Sequence, residues 1–246
     1  MGRNIAVVSG KGGTGKTTFS LNFAVTLSRL GKKTVVVDMN TGLRSLDLAA
    51  GVENVAIFDI YDVMNEVSSV SSIVVHPGYD TELGIIAACQ DIACEPEICR
   101  GLHYIIDVLR DELGYDYVVI DCPPGIGYCF DACVEAVDDV IIAVNPDHQS
   151  LRDAEAVEDR IIGKYAVKRY YIVNNVSYDM VNKGLELRIE LIDERMKCDM
   201  LGIIPADQNI RMSVNIGIPV VLKRDTYIAN NFDRIAERYL GQIIKI

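Results

Sequence analysis

The segment Ser9-Gly10-Lys11-Gly12-Gly13-Thr14-Gly15-Lys16-Thr17-Thr18 follows an apolar run, Ile5 to Val8, and leads into apolar residues at helical spacing, Phe19, Phe23, Leu27 and Leu30. A strand, a glycine-rich turn of the form G-x-x-x-x-G-K-T and a helix, in that order, make a phosphate-binding unit. The loop has to turn its backbone N–H groups inward around a phosphate, and side chains on Gly10, Gly12, Gly13 and Gly15 would crowd the oxygens. Lys16 supplies a point charge, and the helix opening beside it aims unpaired N–H groups and its positive dipole end at the same place. The hydroxyl of Thr17 suits Mg²⁺. A nucleoside triphosphate, with ATP and Mg²⁺ as the expected pair, therefore belongs along Gly10 to Thr18, a span that includes Lys11 and Thr14.

The rest of the chain alternates strand and helix to match it. Short apolar runs rich in β-branched residues lie at Ile5 to Val8, Thr34 to Val37, Leu83 to Ala87, Tyr117 to Ile120, Val140 to Val144, Tyr170 to Val173 and Leu201 to Ile204. None alternates with polar residues, so both faces of each strand should be covered, as in a parallel sheet. Helical spacing appears between them, in Ile98, Leu102, Ile105, Leu109 and Leu113 and in Leu151, Ala154, Val157 and Ile161, and Gly31 and Gly114 stand where a helix can end. The expected fold is α/β, a P-loop NTPase with a doubly wound, mostly parallel sheet and helices on both faces, in one domain over residues 1–246.

Two carboxylates complete the expected metal site. Asp121 ends the run Tyr117 to Ile120 and opens Asp121-Cys122-Pro123-Pro124-Gly125, and Asp38 closes Thr34 to Val37 in the same way. The carboxyl ends of parallel strands border the crevice where such folds bind ligands, within reach of a metal's water shell. An ordinary strand-end turn is the alternative for either residue.

Composition limits the function classes. A net charge of -11, concentrated in residues 1–150, argues against a general nucleic-acid or anionic-membrane binder. No apolar run approaches the roughly 20 residues that span a bilayer and no signal-peptide layout opens the chain, so a cytoplasmic protein is expected. The seven cysteines have no Cys-x-x-Cys spacing and should be free thiols. His76, His103 and His148 are scattered, with no nucleophile-elbow pattern beside them.

The second lysine of the loop, in Lys11-Gly12-Gly13-Thr14-Gly15-Lys16-Thr17-Thr18, resembles the deviant Walker A motif of the MinD/ParA family. Asp38-Met39-Asn40-Thr41-Gly42-Leu43-Arg44-Ser45-Leu46-Asp47 resembles the switch I region of the MinD branch, and of related flagellar-number ATPases, more than that of plasmid ParA proteins. Similarity continues through Asp121 to Gly125, through Asn145-Pro146-Asp147 with Ser150, Arg152 and Asp153, and through Ile204-Pro205-Ala206-Asp207, so nearly the whole chain is covered. The resemblance implies a spatial-regulation ATPase, of the kind that places the division site, acting as an ATP-dependent sandwich homodimer. Lys11 of one subunit would reach the phosphates held by the other, which offsets the repulsion of two facing triphosphates. It further implies that Asn174 and the turn Pro205 to Asp207 hold the adenine, a polar strand end being the alternative for Asn174, and that partners of the MinC or MinE type are bound.

The chain departs from the MinD pattern in two places. Asn40 stands where MinD carries a second switch I aspartate. An amide there can orient the attacking water but brings no charge, so Lys11, Lys16 and Asn40 are expected to support slow hydrolysis. The chain also stops at Ile246 without the basic amphipathic helix that lies in the membrane interface. Contact at the inner face of the membrane should then be weak, through the Ile-rich end, or made by a partner. Two other functions compete with this one: a metabolic synthetase on the same loop, and a redox ATPase resembling the nitrogenase iron protein, with Cys94, Cys99, Cys129 and Cys133 in roughly the right regions.

Overall fold

The computed structural model describes residues 2–79 and 81–242. Its strands are β1 (Arg3–Val8), β2 (Thr34–Asp38), β3 (Leu83–Ile86), β4 (Tyr117–Asp121), β5 (Asp139–Val144), β6 (Lys168–Val176) and β7 (Asp199–Pro205). They form one sheet in the order β3-β2-β4-β1-β5-β6-β7, and every pairing between them is parallel. All seven apolar runs read from the sequence fall on these strands. The longer helices are α1 (Lys16–Arg29), α2 (Glu95–Asp107), α3 (Tyr128–Glu135), α4 (His148–Lys164), α5 (Gln208–Asn215) and α6 (Tyr227–Tyr239).

Alternate residues of one strand enter different layers of the core, which is why the strands read as unbroken apolar runs. Ile5 and Val7 pack with Phe19, Phe23 and Leu27 of α1 and with Phe232 and Ile235 of α6. Ala6 and Val8 pack on the other face with Leu102 and Ile105 of α2, Phe130 and Val134 of α3, and Val157 and Ile161 of α4. The chain leaves central β1 toward β2 on one side and crosses from β4 to β5 on the other. This reversal puts the carboxyl ends of β1 and β4 at the topological switch point, where doubly wound sheets open a crevice.

Gly31 and Gly114 take positive φ, 75° and 69°, as helix-ending residues should. The helix expected to run through Leu113 is α-helical to Asp107 and then winds as a π-helical turn over Val108–Glu112. All seven cysteines are free, six of them buried. Cys94, Cys99, Cys129 and Cys133 are buried within the core layer formed with α2 and α3. Among the described residues no helix is long and apolar enough to cross a membrane. The Ile-rich end, residues 243–246, lies outside the described residues.

Candidate nucleotide-binding site

The phosphate loop occupies the carboxyl end of β1, with α1 opening at Lys16 behind it. Backbone geometry explains two of its glycines. Gly15 caps α1 in the left-handed conformation, φ 84°, and a Cβ there would collide with the Asn174 amide. A Cβ on Gly10 would stand 2.5 Å from Cβ and 2.7 Å from the carbonyl oxygen of Asp153, so α4 presses against the loop at that point. Inside the loop the hydroxyl of Ser9 collects the Lys16 Nζ at 2.7 Å and the Thr14 hydroxyl at 3.0 Å, and itself donates to the Lys11 carbonyl at 2.7 Å. Burial pulls the Lys16 pKa down while the Asp121 carboxylate opposes that shift, so the ammonium is held at a cost that an anionic phosphate would offset.

Asp38 and Asp121 stand side by side because β2 and β4 pair in register at these residues. Both are buried. Thr17 Oγ1 donates to Asp121 Oδ2 at 2.6 Å and Ser20 Oγ to Oδ1 at 3.2 Å. Thr17, Asp38 and Asp121, the expected metal residues, thus converge beside the phosphate loop, and this oxygen-rich set fits Mg²⁺, which phosphate-binding loops hold through a Ser or Thr hydroxyl and one or two carboxylates.

Asn40 is not the water-facing residue that its switch I position suggests. Its Nδ2 donates to Asp38 Oδ1 and to Asp121 Oδ2, each at 2.8 Å, and its backbone N–H adds a bond to Asp38 Oδ1 at 2.9 Å. The residue is 8% exposed. An amide, unlike a carboxylate, can donate to both carboxylates, and it ties them together.

Even so, burial first and the neighbouring Asp38 second push the Asp121 pKa up to about 7. A carboxyl that binds its proton more tightly folded than unfolded contributes stability below the unfolded value near 4 and loses it as pH rises toward 7. Free of nucleotide and Mg²⁺, the protein should therefore show a thermal midpoint that falls between pH 5 and about 8. Asp121→Asn should flatten that slope; scanning calorimetry of both proteins with and without Mg·ADP checks it, and an equal slope in the variant would assign the effect elsewhere.

Lys11 projects from the loop and is held by its own chain. Its Nζ lies 3.1 Å from both carboxylate oxygens of Asp147, which also caps α4 by accepting from the Ser150 N–H at 2.8 Å. The Asp147 side chain is 44% exposed, and an ion pair this open is worth about 0 to 1 kcal/mol. A triphosphate of several negative charges would outcompete it.

Next to the loop a cavity of about 600 Å³ brings together Asn174, Pro205 and Asp207, the three residues expected around a base. Asn174 is partly committed: its Nδ2 donates to the Thr14 carbonyl at 2.7 Å and so braces the loop against β6. Several residues of this site were not picked out from the sequence. Ser9 and Ser20 carried no motif of their own, although a hydroxyl before the first glycine and one a turn after Lys16 are where loop and helix geometry brings side chains to the same carboxylate and ammonium. Phe19, Phe232 and Arg211 line the cavity from three separate helices.

The family described as AAA domain matches residues 2–165. A septum site-determining protein MinD from Synechocystis is 34% identical over 99% of this chain and 91% of its own length. Among solved structures, MinD in the MinC:MinD cell division complex of Aquifex aeolicus superposes with a TM-score of 0.89 at 30% identity, covering 99% of this chain and 97% of that one. MinD of Pyrococcus horikoshii, complexed with Mg-ADP, gives a TM-score of 0.85 at 28% identity over 98% of this chain and 97% of that one.

Proposed function

The chain belongs to the MinD branch of the MinD/ParA family of P-loop ATPases, and from that premise we propose that it is a cell-division-site regulator that binds and slowly hydrolyses ATP, dimerises while ATP is bound, and engages a partner of the MinC type in that state. The observation that carries this reading is the second loop lysine. Lys16 is buried and turned into its own loop, whereas Lys11 is tethered only by an exposed, weak ion pair and is free to serve phosphates outside its own loop.

The surroundings suit a facing subunit. Leu43 and Ile92, 77% and 69% exposed, and the exposed Ile126 and Tyr128 all follow the carboxyl ends of their strands, the edge of the sheet that carries the phosphate loop. Apolar groups around a charged centre are what a nucleotide-dependent interface needs, since the charges set the trigger and the apolar rim supplies the burial.

In the binding step the backbone N–H groups of Gly12 to Thr18 and the Lys16 ammonium would hold the phosphates, and Thr17, Asp38 and Asp121 would hold Mg²⁺. Bound Mg²⁺ supplies charge neutralisation at the phosphate oxygens. Asn174, Pro205 and Asp207 border the base. Asn40, whose amide ties Asp38 and Asp121 together, puts no carboxylate at this position to take a proton from the attacking water, which makes turnover slow and the dimer long-lived. The protein acts in the cytoplasm.

Lys11→Ala tests the carrying observation. The variant should bind a fluorescent ATP analogue with little change in affinity, because Lys11 does not face its own loop's phosphates, and should remain monomeric in ATP when measured by light scattering. Dimerisation at wild-type concentrations would remove the cross-subunit role.

A further inference from the structure

One wall of the base cavity is left without a role by the reading above. α5 supplies it: Asp207, Arg211 and Asn215 follow one another at intervals of four, the spacing that stacks side chains on one helix face, and all three line the cavity. Phe19, Ile204, Val214 and Phe232 contribute apolar surface to the same space.

Arg211 is exposed, and it forms no ion pair or hydrogen bond among the described residues. In a chain of net charge -11 this is notable, since Arg29, Arg44, Arg160 and Arg195 each have a carboxylate partner. The nearest acid along the helix face, Asp207, spends its Oδ1 on capping α5 through the Asn209 N–H at 2.7 Å. Phosphate binding is already served by Lys16 and the N-terminus of α1, on a different wall.

We propose that Arg211 is a base-positioning residue whose guanidinium lies flat on the nucleobase, closes the cavity over it and favours purine over pyrimidine nucleotides. The inference rests on reading this cavity as the base site. A guanidinium is planar, delocalised and weakly hydrated, and it stacks on aromatic faces. A purine offers the larger face, and the apolar residues lining the rest of the cavity suit the remainder of the ring. A lysine at the same position would bring the charge without the plane.

Titration calorimetry in Mg²⁺ with ATP, CTP and inorganic tripolyphosphate, on the full chain and on Arg211→Ala and Arg211→Lys, tests this. Arg211→Ala should weaken ATP by about 2- to 30-fold, CTP by much less and tripolyphosphate not at all, and Arg211→Lys should fail to restore ATP. The thermal midpoint should hold, because alanine suits an exposed helix position. Equal losses for all three ligands, an unchanged ATP affinity, or full rescue by lysine would overturn the proposal. Native protein that binds ATP no better than tripolyphosphate would instead remove the base-site reading beneath it.

Discussion

Replacing Lys16 by alanine should abolish useful nucleotide binding, lowering affinity for a fluorescent ATP analogue by about a hundredfold or more, while the fold stays intact. The size follows from its place. Lys16 is 6% exposed, and its Nζ is held over the loop by the Ser9 hydroxyl at 2.7 Å. Truncating one member of a buried, hydrogen-bonded charge pair costs about 2 to 5 kcal/mol, which is a factor of roughly 30 to several thousand. The free protein should tolerate the change, because burial already disfavours the ammonium and its loss relieves that desolvation. Affinity and thermal midpoint measured on one preparation separate the two effects. Unchanged affinity would sink the assignment of the loop, and a collapsed midpoint would show that Lys16 is needed for folding.

Asn40→Asp should accelerate single-turnover ATP hydrolysis by at least about tenfold in Mg²⁺, general bases and water-orienting groups being worth on the order of 10²-fold. The same change should weaken the free protein. Asn40 now donates to Asp38 and Asp121 together, and an aspartate in its place withdraws the donor and adds a third buried negative charge. The thermal midpoint without Mg²⁺ should fall by several degrees, and Mg·nucleotide should restore it. If both results hold, native Asn40 exchanges turnover for a site that holds together without its metal. Equal rates with equal dimer lifetimes would leave Asn40 as a structural clamp alone.

What could be read in the sequence was what depends on near neighbours. The seven strands were visible because residues such as Ile5 to Val8 face two apolar layers and so form runs without polar interruption. The loop was visible because its glycines, lysines and threonines have fixed spacing. Pairings across long separations were not. Asn40 reaches Asp121 only because β2 and β4 register Asp38 against Asp121, 81 residues away from Asn40 in the chain. Lys11 and Asp147 are 136 residues apart, and nothing local marks them as partners. The cavity wall is of the same kind: Arg211, Phe19 and Phe232 belong to α5, α1 and α6, and each looks like an ordinary helix residue until the sheet brings the three together.

ATP should convert a monomer into a dimer through Lys11. Size-exclusion chromatography with light scattering, run without nucleotide, in Mg·ADP and in Mg·ATP, reads it directly. The expected mass is near the 27.2 kDa of one chain in the first two conditions and about twice that in the third. A chain that stays monomeric in Mg·ATP, or has the same mass in all three conditions, would contradict it.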